Sequence, residues 1–322
     1  LISALSNDIE KQIMDIIWKA KDFARPFRNP VLTLGNFDGV HLGHQRIFQQ
    51  VCRKAKETGG EALAYTFAPH PVQLLKPGKE PFLLLPLAER IRLIGEAGVD
   101  VTICAPFTPE FASLTAEEFV RDILHRQIGV RQVYVGQNTS FGRGRTGSVS
   151  LLKEFGKRYG FAVEAVEAVE VKGTLVSSSR IRRLIRQGDI PGATEMLGRP
   201  PLLVGEVIHG FGRGGRKLGF PTANLKVEEV LIPRPGIYAV WVVYGGQRFA
   251  GVSNLGWNPT FQDHKFSIEV HILNFDKEIY GQKLRVEFVE RQRDEVTFRG
   301  PEELIVQIKK DVEQAKKILG IE

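Results

Sequence analysis

The sequence predicts two domains of different class: an α/β domain on a parallel, doubly wound sheet, then a small β-barrel covered by a C-terminal helix. Three observations predict it. Across residues 31–135, near-continuous apolar segments alternate with amphipathic helical ones, and strands apolar on both faces belong to parallel sheets covered by helices. At residues 197–202, LGRPPL, paired prolines end the helical pattern. Beyond that point the segments alternate apolar and polar and are joined by hairpin-like turns. A length of 322 residues allows two separate cores.

Taken in order, residues 1–25 mix acidic and basic residues with an apolar stripe, which predicts an amphipathic helix. Val31–Leu34 is the first apolar strand. Gly35, Asn36, Phe37, Asp38 and Gly39 turn it, and His41, Gly43 and His44 open a helix over 44–57 whose stripe is Ile47, Phe48, Val51, Cys52 and Ala55. The first N–H groups of a helix have no internal partners and sit at the positive end of its dipole, so this junction is an anion site. Gly43 leaves room for a phosphate, and His41 and His44, three apart, can face one side. Residues 61–67 form the next strand and run into Pro69, His70 and Pro71, where prolines stiffen the loop. A helix over 86–97, a strand over 99–104, a helix capped by Thr115 and Glu118, and a strand over 130–135 follow. The loop 136–147, GQNTSFGRGRTG, lies just past that strand. Residues 161–169 are a further strand, and Ser177 and Ser178 precede a helix over 179–187.

In the second half, strands are predicted over 202–208, 236–244, 266–273 and 284–289, with a turn at Tyr244–Gln247 and a helix over 301–319 begun by Pro301. Residues 205–225 read GEVIHGFGRGGRKLGFPTANL. Gly210, Gly212 and Lys217 suit an anion, yet Arg216-Lys217 after Gly215 is not a Walker A ending. Along 266–273 the alternation sends Phe266, Ile268, Val270 and Ile272 to the core, and Ser267, Glu269 and His271 to the other face.

A net charge of +7 suits polyanionic partners, nucleotides or nucleic acid. No apolar run reaches membrane-spanning length, and the N-terminus lacks a basic start followed by a long apolar core, so neither a membrane span nor a signal peptide is expected. Cys52 and Cys104 belong to no CxxC or metal-ligand pattern, which fits a cytoplasmic protein.

Several of these strings together resemble bacterial bifunctional riboflavin kinase/FAD synthetases. GNFDGVHLGH at 35–44 resembles their form of the HxGH signature of nucleotidylyltransferases, FAPHP at 67–71 their F-x-P-H-P loop, and 136–142 their flavin loop, with Thr139 where the family has an aromatic residue. SSSRIR at 177–182 resembles their SSTxIR motif, GFPTAN at 219–224 their kinase signature, and NLGWNPTF at 254–261 a further kinase segment. The resemblance implies a Rossmann-like nucleotidylyltransferase domain over 29–198, after a helical segment 1–28, and a riboflavin-kinase-type barrel over 199–322. It implies catalytic roles for His41, His44 and Glu269. It implies nucleotide contacts from Gly35, Phe37, Asp38, Gly39, Gly43, Ser177, Ser178, Arg182, Gly210, Gly212, Lys217, Thr222 and Asn224. Thr222 and Asn224 would also hold Mg²⁺, and Asn138, Phe141, Arg291 and Arg293 would meet flavin. The implied substrates are riboflavin, FMN and ATP, with FAD as product and no nucleic acid or membrane partner. Two alternatives stay open: a chain in which Thr139 leaves only the kinase half active, and, more distantly, a nucleic-acid-binding barrel.

Overall fold

In the computed structural model the residues described are 14–18, 26–75, 82–209, 219–257 and 266–321. They form two compact units, one of residues 1–80 and 87–177, the other of 81–86 and 178–322.

The first unit contains β1 (Asp15–Ile17), β2 (Val31–Leu34), α1 (Leu42–Glu57), β3 (Ala62–Ala68), α2 (Pro71–Leu75), α3 (Leu87–Glu96), β4 (Val101–Pro106) and α4 (Pro109–Ser113). Helix α5 starts at Ala116–Glu118 and continues through Phe119–Ile128 in a wider, π-type winding, and β5 (Gln132–Gly136), α6 (Val149–Tyr159), β6 (Ala162–Val166), β7 (Glu170–Val171) and β8 (Thr174–Leu175) follow. The sheet runs β1-β4-β3-β2-β5-β6, and all its pairings are parallel. Strand β2 is buried along its whole length, as a central parallel strand must be. The chain moves outward from β2 to β3 and β4, then returns to pair β5 on the other side of β2. That reversal opens a crevice beyond the carboxyl ends of β2 and β5, where open α/β sheets bind ligands.

The N-terminal expectation is corrected where it can be checked. Asp15–Ile17 is an edge strand beside β4, in register Asp15 with Val101, and Thr102 Oγ1 donates to Met14 Sδ at 3.0 Å. Two adjacent β-branched isoleucines favour an extended backbone. The remainder of 1–25 lies outside the described residues.

The second unit holds α7 (Ser178–Gln187), α8 (Ile190–Leu197), β9 (Leu202–Ile208), β10 (Ala223–Val227), β11 (Gly236–Tyr244), β12 (Gln247–Trp257), β13 (Phe266–Ile272), β14 (Lys283–Arg293) and α9 (Pro301–Leu319). Its six strands close a barrel in the order β10-β13-β12-β11-β14-β9, which leaves no open edge. Leu203, Tyr238, Val240, Leu255, Val270 and Phe288 fill the interior. The hairpin at Tyr244–Gln247 is as predicted, with Gly245 and Gly246 at φ 57° and 78°, the left-handed pair that a tight hairpin turn requires.

Candidate active sites

In the first unit, the turn after β2 brings two histidines together at the start of α1. His41 is the N-cap; its Nδ1 accepts from the His44 backbone N–H at 3.4 Å. The two rings stack with centroids 3.6 Å apart, and the His44 ring meets the edge of buried Phe37. Gly43 also has a local reason. A Cβ there would lie 3.2 Å from Cε1 and Nδ1 of His41, so the glycine makes room for the histidine ring. Because His41 Nδ1 is an acceptor, a neutral ring carries its proton on Nε2.

Beyond β3 and β4 stands a cluster of aromatic rings. Phe67 meets Tyr65, Phe107 and Phe111 edge-on, and Phe111 and Phe119 carry the contact to Phe141. Phe141 is the last ring in this chain of contacts, pinned by a two-way backbone bridge to Gly147. Asn138, on the same loop, is exposed. His70 caps α2, its Nδ1 accepting from the Val72 N–H at 3.2 Å.

In the second unit, Glu269 lies on the face of β13 turned away from the barrel interior, and pairs across strands with Asn224 and Asn254. Thr222 Oγ1 donates to Glu269 Oε2 at 3.5 Å and Ser267 Oγ to Oε1 at 3.4 Å. Burial pushes the Glu269 carboxyl above its ordinary range; the two hydroxyls act against that rise and nearby Glu295 adds to it. The Asn254 Oδ1 is buried without a hydrogen-bond partner among the described residues. His271 is structural: its Nδ1 pairs with Pro221 O at 2.8 Å and its ring meets Phe220.

The comparisons match this division. A family profile described as FAD synthetase covers residues 24–180, and one described as riboflavin kinase covers 197–319. A bifunctional riboflavin kinase/FMN adenylyltransferase of Escherichia coli K12 is 34% identical, over 92% of this chain and 95% of its own. One of Listeria monocytogenes is 38% identical, over 89% of this chain and 92% of its own. The chain belongs to the bifunctional riboflavin kinase/FMN adenylyltransferase family. A solved Streptococcus pneumoniae structure, described as a macrolide-efflux protein, is 32% identical with a TM-score of 0.85, covering 94% of this chain and 99% of that one. No helix among the described residues of the present chain is long and apolar enough to cross a membrane.

Within this family frame, the expected residues fall into distinct groups. Gly35, Phe37, Asp38, Gly39, Gly43, His41 and His44 form one turn. Thr222, Asn224 and Glu269 form one constellation. Ser177 ends the first unit and Ser178 begins α7 in the second. Arg182 Nε donates to Phe82 O at 2.7 Å, and its guanidinium stands 5.3 Å over the Phe82 ring. Gly210, Gly212 and Lys217 lie outside the described residues, as do residues 258–261 of the NLGWNPTF segment. Arg291 and Arg293 both have partners within the barrel scaffold. Arg291 donates to Pro235 O and pairs with Asp294. Arg293 makes a two-pronged pair with buried Asp311 of α9, at 2.8 and 2.6 Å. Sequence reasoning missed Asn254 as a neighbour of Glu269, although the alternation of β12 against β13 carried the signal. It also missed Phe67, Phe107 and Phe111 as a cluster, because they come from three separate segments.

Proposed function

We propose that this chain makes FAD in two steps, transferring the γ-phosphoryl of ATP to riboflavin and then AMP from ATP to FMN. Family membership supports both reactions. The observation that carries the reading is that each unit holds its own constellation, a histidine-capped helix start in one and a hydroxyl-flanked, partly buried carboxylate in the other.

In the first unit, a phosphate oxygen of FMN attacks the α-phosphorus of ATP, and pyrophosphate leaves with the electrons of the broken P–O bond. The nucleophile is already an anion, so no base is needed. His41, His44 and the first amides of α1 stabilise the charge on the transferred and leaving groups. The phenylalanine cluster supplies apolar side chains for the flavin ring, with Phe141 packed against Phe119 and Asn138 exposed on the same loop. For Ser177, Ser178 and Arg182 the triphosphate role rests on the motif alone.

In the second unit, Glu269 accepts the proton of the terminal ribityl hydroxyl as its oxygen attacks the γ-phosphorus and ADP departs. Desolvation makes this carboxylate a better base than an exposed one, while Ser267 and Thr222 keep it oriented. Thr222 and Asn224 are the residues that would hold Mg²⁺. Their donors are hard oxygens beside a carboxylate, and few in number, which suits an ion that keeps several waters and shares phosphate ligands. When bound, that ion offsets the negative charge of the phosphates. A cytoplasmic location belongs to the same proposal and is supported by two free thiols, Cys52 and Cys104, which burial pushes up to about 11.

The test is a chromatographic time course with purified chain, riboflavin, ATP and Mg²⁺. FMN first and FAD later is the expected result. FMN alone would confine activity to the kinase half and point to Thr139; neither product from folded protein would overturn the reading.

A further inference from the structure

The turn that carries the HxGH signature is strained. Phe37, Gly39 and Val40 have φ of 49°, 83° and 41°. Glycine adopts this left-handed region freely, but a phenylalanine and a β-branched valine do not, and such residues persist only where their surroundings over-determine them. The turn supplies part of that constraint itself: Val40 N donates to Phe37 O at 3.0 Å, and Gln45 Nε2 to Val40 O at 2.8 Å.

The remaining constraint comes from another element. Arg90 of α3 is 4% exposed. Its Nη1 donates to Asn36 O at 2.9 Å and its Nη2 to Phe67 O at 2.7 Å. One planar fork thus ties the second turn residue after β2 to the end of β3, where the FAPHP loop begins. Thr66 Oγ1 donates to the same Asn36 O at 3.3 Å. The flanking residues of α3 make a different use of charge, Arg92 pairing with Glu89 at 2.9 Å. A guanidinium withdrawn from water to hold two backbone carbonyls loses hydration, and a fold keeps such an arrangement where backbone geometry has to be set. Burial lowers the pKa of this guanidinium, and Cys104 and buried Asp38, the latter within the turn itself, act against that.

We propose that Arg90 is a positioning residue for adenylyl transfer: its fork holds the strained turn, and through it His41 and the first amides of α1, in the geometry the reaction needs. This rests on reading the first unit as the adenylyltransferase. Arg90 touches no substrate in this account.

The experiment compares full-length wild type, Arg90→Lys and Arg90→Gln. FAD formation from supplied FMN gives kcat and KM, riboflavin phosphorylation serves as an internal control, and thermal unfolding is followed in parallel. Lysine keeps the charge but, as a point cation, does not reproduce a fork across two carbonyls. Both variants are expected to lose about ten-fold or more in kcat for FAD formation, with KM for FMN changed by less than about three-fold and the kinase rate unchanged. A wild-type kcat in Arg90→Lys, or a lowered melting temperature with kcat intact, would overturn the inference. If neither variant folds, Thr66→Val removes the second donor to Asn36 O at nearly constant shape. It is expected to lower the same kcat about two- to five-fold, and an unchanged value there counts against the proposal. Wild-type protein that makes no FAD would sink the reading of the first unit; wild type that makes FAD beside unaffected Arg90 variants would sink only the role of Arg90.

Discussion

Glu269 sits on a strand whose other face is core, and desolvation lifts its carboxyl while Ser267 and Thr222 hold it in place. A base must be ionised to act, so kinase activity is lost as pH falls through its pKa. Because that pKa is raised, the acid limb of kcat/KM should lie above the ordinary carboxylate value of about 4.3. Glu269→Gln keeps the shape and removes the base; it should cut riboflavin phosphorylation by about 10²–10⁴-fold and flatten that limb, while supplied FMN is still converted to FAD. An acid limb that survives in the glutamine variant would assign the titration to another group. His41→Ala is the converse: it removes a cap, and with it the phosphate donor proposed for the first unit. FAD formation should fall by at least about 10²-fold with the FMN-forming rate unchanged, and loss of both would show that the two chemistries are assigned to the wrong units.

Strands and helices explain which of these residues could be read in advance. The alternation of β13 was visible in FSIEVHI, and it placed Glu269 on the correct face because a barrel wall permits only two directions for a side chain. The βα junction at Gly35–His44 was equally readable, since a buried strand, a glycine turn and a helix start follow one another without interruption. Arg90 was not. In LAERIRLIGE the helical period marks Ile91 and Ile94 as core and leaves the charged residues to solvent, and only the fold brings Asn36 O and Phe67 O within reach of that guanidinium. The partner of Arg293 was equally hidden: the resemblance gave Arg291 and Arg293 a flavin role, and only the fold shows that β14 delivers Arg293 to Asp311 on a helix that arrives later in the chain. Gln307 adds a bond to the same carboxylate at 2.9 Å. Asp311 is 5% exposed, so Asp311→Ala leaves Arg293 with its main partner gone and should destabilise the barrel by about 2 kcal/mol, discounted because the arginine still reaches water. Calorimetry of the full chain checks this; an unchanged kinase-side transition would mean that the pair contributes nothing to holding α9.

The division of the chain was legible from its change of pattern at LGRPPL, yet the grouping of contacts differs from that punctuation. Helices α7 and α8 precede the prolines and nonetheless belong with the barrel unit. Ile190, fully buried, is part of the barrel's own core cluster, and Leu83 packs against that cluster while its carbonyl accepts from Leu231 N at 2.8 Å. Prolines mark where a helix stops; they do not say which core its apolar face joins. A single substitution separates the two readings of the boundary. Ile190→Ala leaves a cavity in whichever core the side chain fills, at a cost of about 2–5 kcal/mol. If α8 is part of the kinase body, heating the full-length variant should abolish riboflavin phosphorylation at a lower temperature than in wild type, ahead of or together with adenylylation of supplied FMN, since Ser178 and Arg182 of α7 belong to the same unit. The two activities report on the two units within one polypeptide, so no truncation is needed. Loss of FAD formation ahead of FMN formation would move α8 into the adenylyltransferase and place the boundary back at the paired prolines.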